Sequence, residues 1–330
     1  MNYGVVGVGY FGAELARIMK QNEDANIVAV YDPDNGKTIA EELGCDATES
    51  LNELVTRDDI YCVIVATPNY LHKEPVIEAA KHGKHVFCEK PIDHDIAKIQ
   101  EVIDALKETN VKYQVGFNRR FDHNFEAVQQ AVAAGKVGKP EIIKITSRDP
   151  EPPSIDYVKV SGGMFLDMTI HDFDMVRFLA GCDATEVYVQ GANLVDPAIG
   201  EAGDVDTAVI TLQMENGAIA VIDNCRKAVY GYDQRAEVFG SEGMVSMKND
   251  SQSSAVISNA DGVTGEKPLF FFLERYMDAY GKEIAAFIDA IENDKETPLN
   301  VMDGLKPVLM GLAAKKSLEE HRPVKISEIM

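Results

Sequence analysis

The chain has 330 residues, 45% of them hydrophobic, enough for a large core and, by length, for about two domains. Its formal net charge of −22 repels nucleic acid and anionic membranes, so neither is an expected partner. Five cysteines (Cys45, Cys62, Cys88, Cys182 and Cys225) are scattered without a C-x-x-C pair, and no apolar run approaches the ~18 residues of a membrane span. Reduced thiols, and a first strand that starts by residue 3 with no room for a signal peptide, lead to the expectation of a cytoplasmic protein.

The first predicted strand, 3–8, runs into Gly7-Val8-Gly9-Tyr10-Phe11-Gly12, and a helix over 11–22 follows. A lone G-x-G-x-x-G occurs in many tight turns, but here it has an apolar strand before it and an amphipathic helix after it. Gly7 permits the turn, Gly9 lets backbone approach a pyrophosphate, and Gly12 lets the helix pack closely on the strand. Tyr10 and Phe11 lie within the same loop, on the expected cofactor side. The helix N-terminus offers free N–H groups and partial positive charge. A second strand, 26–31, ends at Asp32, about twenty residues after Gly12, the spacing of a ribose-binding carboxylate. A carboxylate there favours NAD over NADP; Lys37 softens that preference without reversing it.

Further strands are predicted at 61–66, 84–88 and 112–117, with helices at 36–43, 70–82 and 95–109. The alternation predicts a doubly wound parallel sheet over 1–119, with ligands beyond the carboxyl ends of its strands. Thr67-Pro68-Asn69 lies at one such end and Glu89-Lys90-Pro91 at another. Pro91 keeps Lys90 extended, so its ammonium is aimed and can steady a developing alkoxide; the plain alternative is a solvated lysine.

From about residue 120 the pattern changes. A helix over 122–134 precedes strands at 140–148, 185–193, 205–214, 217–225 and 234–239. Asn216-Gly217 is a strong hairpin signal between two of them. The fold class expected is therefore α/β: a Rossmann domain, then an α+β domain over 120–330 with a large, mostly antiparallel open sheet. Residues 270–292 and 303–319 read as helices that can pack back on either domain. The bare face of the open sheet needs cover, which a second subunit would supply.

Residues 162–174 (GGMFLDMTIHDFD) are expected to form one helix that starts at the glycines. Asp167 and His171, four apart, then share a face. An imidazole that titrates near neutrality suits a base accepting an alcohol proton, and Asp167 can orient it or bind a hydroxyl. The plain alternative is an ordinary Asp–His pair. A metal is not expected, because no second histidine or cysteine pair stands at ligand spacing.

Together, Gly7-x-Gly9-x-x-Gly12, Ala66-Thr67-Pro68-Asn69 with His72, Glu89-Lys90-Pro91 and Asp167-x-x-x-His171 resemble the Gfo/Idh/MocA oxidoreductases along the full chain. The resemblance implies Lys90, Asp167 and His171 as the catalytic set. It implies Thr67, Asn69, His72 and Glu89 along an NAD cofactor, a cis Lys90–Pro91 bond, and a tetramer. The second half is similar to the family's inositol-oxidising members in residues 116–122, 147–150 and 230–233. By that resemblance Arg119, Asp149, Tyr230 and Tyr232 join Lys90, Asp167 and His171 around a polyol. The bare alternation of Tyr230 and Tyr232 instead puts one in the core and one at the surface. The implied reaction is NAD-dependent oxidation of a cyclic polyol, myo-inositol first. Other inositol isomers, other sugars such as glucose, and a non-catalytic NAD-binding sensor remain as alternatives.

Overall fold

The computed structural model describes residues 1–330 and divides into two compact units. One comprises Met1–Asn118 with Asp278–Val308, the other Arg119–Met277 with Leu309–Met330. No helix is long and apolar enough to cross a membrane.

The first unit holds six parallel strands: β1 (Asn2–Val6), β2 (Asn26–Tyr31), β3 (Asp46–Ala47), β4 (Cys62–Val65), β5 (His85–Glu89) and β6 (Tyr113–Gly116). Their order is β3-β2-β1-β4-β5-β6, the doubly wound arrangement whose strand order reverses between β1 and β4. The inner strands are buried on both faces, which is why they read as unbroken apolar runs. The two-residue β3 and the short helix Leu51–Val55 are not predicted from periodicity, because neither is long enough to show one.

The second unit holds a sheet of β7 (Pro140–Arg148), β8 (Ala184–Ala192), β9 (Thr207–Met214), β10 (Ile219–Cys225), β11 (Asp233–Gly240) and β12 (Gly243–Ser246). A separate exposed hairpin pairs β13 (Val256–Asn259) with β14 (Gly262–Gly265), and β15 (Val324–Lys325) closes the sheet edge beside β8. The sheet order is β12-β11-β7-β10-β9-β8-β15. Gly217, at φ +88°, turns β9 into β10 as the Asn-Gly signal predicts. One pairing departs from the antiparallel rule: β7 and β10 run parallel, with Arg148 opposite Cys225. Helices His123–Ala133 and Thr169–Ala180 cover one face, over a core that includes Ile143, Ile145, Phe173, Val176, Ile210 and Ile222. The opposite face leaves Val209, Ile219 and Phe239 about half exposed.

The single helix expected over 162–174 does not form. Helix Met164–Asp167 ends at Met168, and a second helix, Thr169–Ala180, begins there. The two are anchored separately. Gly162 and Gly163 have positive φ, and the Asp204 carboxylate accepts from Met164 N, which fixes the first. Asn224 accepts from the Thr169 hydroxyl at 2.6 Å and donates to Asp172 at 2.9 Å, which fixes the second. Asp167 therefore ends one helix, while His171 sits in the first turn of the next.

Candidate functional site

In the first unit the glycine loop meets the end of β4. A Cβ on Gly7 would lie 2.6 Å from Thr67 N, and one on Gly12 would lie 2.1 Å from Gly7 O. Those two glycines are demanded by packing within the protein. At Gly9, by contrast, a Cβ would meet nothing within 4 Å. Gly9 thus borders open space at the start of helix Tyr10–Met19, the cradle a pyrophosphate needs at a helix N-terminus. Tyr10 is exposed on the first turn, and the Phe11 ring packs on Tyr280 with centroids 5.2 Å apart. The Asp32 carboxylate accepts from Val8 N at 2.9 Å and from Asp34 N and Asn35 N, so it ties the loop to the end of β2. This side of the unit fits a dinucleotide.

Beyond β4 and β5 lie the other predicted residues of this unit. Thr67 and Asn69 are partly exposed, and the Thr67 hydroxyl finds no hydrogen-bond partner within the protein. His72 is wholly buried, its Nδ1 2.7 Å from Pro91 O and its Nε2 2.7 Å from Thr67 O. Its ring clamps the Thr67 loop to the Lys90–Pro91 segment, whose peptide bond is cis. Glu89 is buried, and desolvation pushes its carboxyl well up against the opposing pull of Lys90. Lys90 itself is partly exposed at the strand end.

In the second unit the predicted residues other than His171 fall into three groups. Asp149 and Asp167 are brought together by Arg226. The Arg226 Nη1 lies 3.4 Å from Asp149 Oδ2, and its Nη2 lies 3.2 Å from Asp167 Oδ2. The Tyr157 hydroxyl donates to Asp167 Oδ1 at 2.9 Å. Burial pushes Asp149 up to about 6, opposed by Arg226 and reinforced by Asp167.

Arg119 and Tyr232 form the second group. Both are buried; Arg119 donates to Asp172 at 2.6 Å and, more weakly, to Ser147 and to the Tyr232 hydroxyl at 3.4 Å. Tyr232 packs edge-on against Phe271 and Tyr276. This network braces Asp172, and hence the helix turn that carries His171. The third group is Tyr230, which is 39% exposed. Its hydroxyl donates to Asp233 at 2.5 Å and accepts from Arg148 at 3.1 Å. The two tyrosines thus belong to different networks, one interior and one at the surface.

Arg226, Tyr157, Asp172 and Asn224 escape the sequence reading. Arg226 follows β10 by one residue and Asp149 follows β7 by one. Only the parallel β7–β10 pairing brings those two strand ends to the same edge, and no periodicity announces that pairing.

A family profile described as "Oxidoreductase family, NAD-binding Rossmann fold" matches residues 1–117, and the "GFO/IDH/MocA C-terminal domain" profile matches 125–246. The chain is 45% identical to the myo-inositol 2-dehydrogenase of Thermotoga maritima over the whole of both chains. A crystal structure of a probable dehydrogenase from Thermotoga maritima superposes with a TM-score of 0.98 at 45% identity, covering all of both chains. The scyllo-inositol dehydrogenase of Lactobacillus casei, solved with bound NAD(H) and scyllo-inositol, superposes with a TM-score of 0.92 at 30% identity, covering 99% of each. The dinucleotide that fits the first unit is NAD, and the chain belongs to the Gfo/Idh/MocA family of oxidoreductases.

Proposed function

We propose that the protein oxidises a secondary hydroxyl of a cyclic polyol, myo-inositol first, to the ketone with NAD. The observation that carries the substrate class is the buried Asp149–Arg226–Asp167 cluster. Two carboxylates against one guanidinium leave it net negative. A ring of neutral hydroxyls, each a donor and an acceptor, suits such a wall. An anionic sugar acid would bring a further negative charge beside two carboxylates, which desolvation makes costly. The likeness to inositol dehydrogenases points the same way.

NAD supplies the hydride acceptor. His171 takes the hydroxyl proton, Lys90 donates a hydrogen bond to the same oxygen, and Asp167 binds a hydroxyl and tunes His171. Asp149 accepts from a second hydroxyl. Gly7, Gly9, Tyr10, Phe11 and Gly12 form the pyrophosphate loop, Asp32 takes the ribose, and Thr67, Asn69 and Glu89 line the cofactor. His72, clamped between two carbonyl oxygens, holds that lining in place. Arg119 and Tyr232 act through Asp172, and the Tyr230 hydroxyl is held by Asp233 and Arg148.

The half-exposed apolar residues on the bare sheet face support assembly into a homo-oligomer, and the family resemblance implies a tetramer. Light scattering that returns a monomer would refute it. A cytoplasmic location accords with five unpaired cysteines.

The test is NADH formation by purified protein with myo-inositol, scyllo-inositol, glucose and a sugar acid. The highest kcat/KM is expected with myo-inositol and none with the acid. A scyllo-inositol optimum would move the assignment to that isomer. NAD binding without NADH from any polyol would make the protein a sensor.

A further inference from the structure

Arg226 is used by no step above except as counter-charge, yet both its backbone and its guanidinium are held in place. Its backbone N–H donates to Asp206 O at 2.8 Å. The Asp206 carboxylate in turn accepts from Leu194, Val195 and Asp196 N–H groups. Asp149 N donates to Cys225 O at 3.0 Å, and Ala228 N donates to Asp149 O at 2.6 Å. The two strand ends are laced together by backbone, and the buried guanidinium spreads its fork between two carboxylates. Arg119, by contrast, gives a short 2.6 Å bond to a single carboxylate.

We propose that Arg226 is a positioning residue that holds the Asp149 and Asp167 carboxylates side by side as hydroxyl acceptors. The role as hydroxyl acceptors rests on the polyol reading; the pairing of the two carboxylates does not. Other charged or titratable groups around the cluster are Tyr157, Arg119, Asp204 and Tyr232. Tyr157 donates to Asp167, while Arg119 and Asp204 act on Asp149 and Arg226 through space. Without the Arg226 charge, two neighbouring carboxylates share a proton, as like charges in one site do. One acceptor then becomes a donor, and it mismatches a substrate hydroxyl.

The test compares wild type, Arg226→Gln and Arg226→Lys in two measurements. The first is the pH profile of kcat/KM with myo-inositol. Arg226→Gln is expected to move the acid limb up by about one pH unit or more and to lower kcat/KM about tenfold or more at neutral pH. Arg226→Lys keeps the charge but loses the fork; it is expected to restore the acid limb while KM stays raised. The second measurement is carboxyl titration by NMR in the ligand-free protein, which needs no turnover. It should show an aspartate titrating higher in Arg226→Gln than in wild type.

A folded Arg226→Gln whose acid limb and aspartate titration match wild type, at whatever activity, overturns the proposal. If Arg226→Gln does not fold, Arg226→Lys decides: wild-type KM overturns the proposal, and a raised KM with an unmoved acid limb upholds it. A wild type that oxidises no polyol defeats the polyol reading alone; the NMR titration still decides the pairing.

Discussion

The glycine loop of the first unit and the carboxylate cluster of the second are built in opposite ways. The loop is six consecutive residues closed by Asp32, and its shape is a matter of backbone: Gly7 and Gly12 meet neighbouring main chain, and Gly9 meets open space. The cluster draws Asp149, Tyr157, Asp167 and Arg226 from four segments, and its shape is a matter of which strands pair. A site made of contiguous backbone survives in the order of residues. A site made of side chains exists only once the sheet has chosen its partners.

The largest expected effect lies on the second side of that contrast. His171→Ala should lower kcat by ~10²–10⁴ while NAD binding by fluorescence stays unchanged. Turnover close to wild type would remove His171 from the proton path. Arg119→Met should come next: it strands Asp172, whose carboxyl burial already pushes up against Arg119, without its ion pair. Urea unfolding should show a loss of about 3–5 kcal/mol. A loss no larger than a surface substitution gives would mean that Arg119 does not brace the helix of His171.

Within the loop, Gly12→Ala and Gly9→Ala should separate packing from binding. The first forces a Cβ against main chain and should cost ~1–3 kcal/mol of stability. The second should unfold like wild type but bind NAD about tenfold more weakly or worse, because its new methyl fills the cradle. Equal stability losses in both would deny that Gly9 faces open space.

The smallest effect is on the pH dependence of stability. Asp149 titrates near 6 in the folded chain and at its ordinary lower value when unfolded. Between about pH 4 and 6 the folded state therefore holds more protons. Asp149 then subtracts stability as pH rises through that window. Asp149→Asn should gain on wild type by about 2 kcal/mol from pH 4 to pH 7, read from urea midpoints. A difference that stays flat across the window would show that burial does not govern this carboxyl.

Legibility followed the same divide. Strands β2 and β7 and helix Gly36–Leu43 fall on their predicted residues, because period and end signals are local. Spacing alone puts Asp167 and His171 on one helix and gives no sign of the break at Met168, whose anchors, Asp204 and Asn224, lie 40 and 55 residues away. Alternation along the chain separates Tyr230 from Tyr232, yet it could not say which one faces the core. Phe271 and Tyr276 decide that by packing on Tyr232.

By itself the sequence determined the doubly wound sheet, the glycine loop with Asp32, and the strand ends that carry Thr67, Glu89 and Lys90. All of these follow from residue order within one βα step. Only the tertiary structure decided that β7 and β10 run parallel, that Arg226 therefore joins Asp149 and Asp167, and that Arg119 is spent on Asp172. Side-chain periodicity encodes what an element is, whereas its neighbours are chosen by contacts tens of residues apart along the chain.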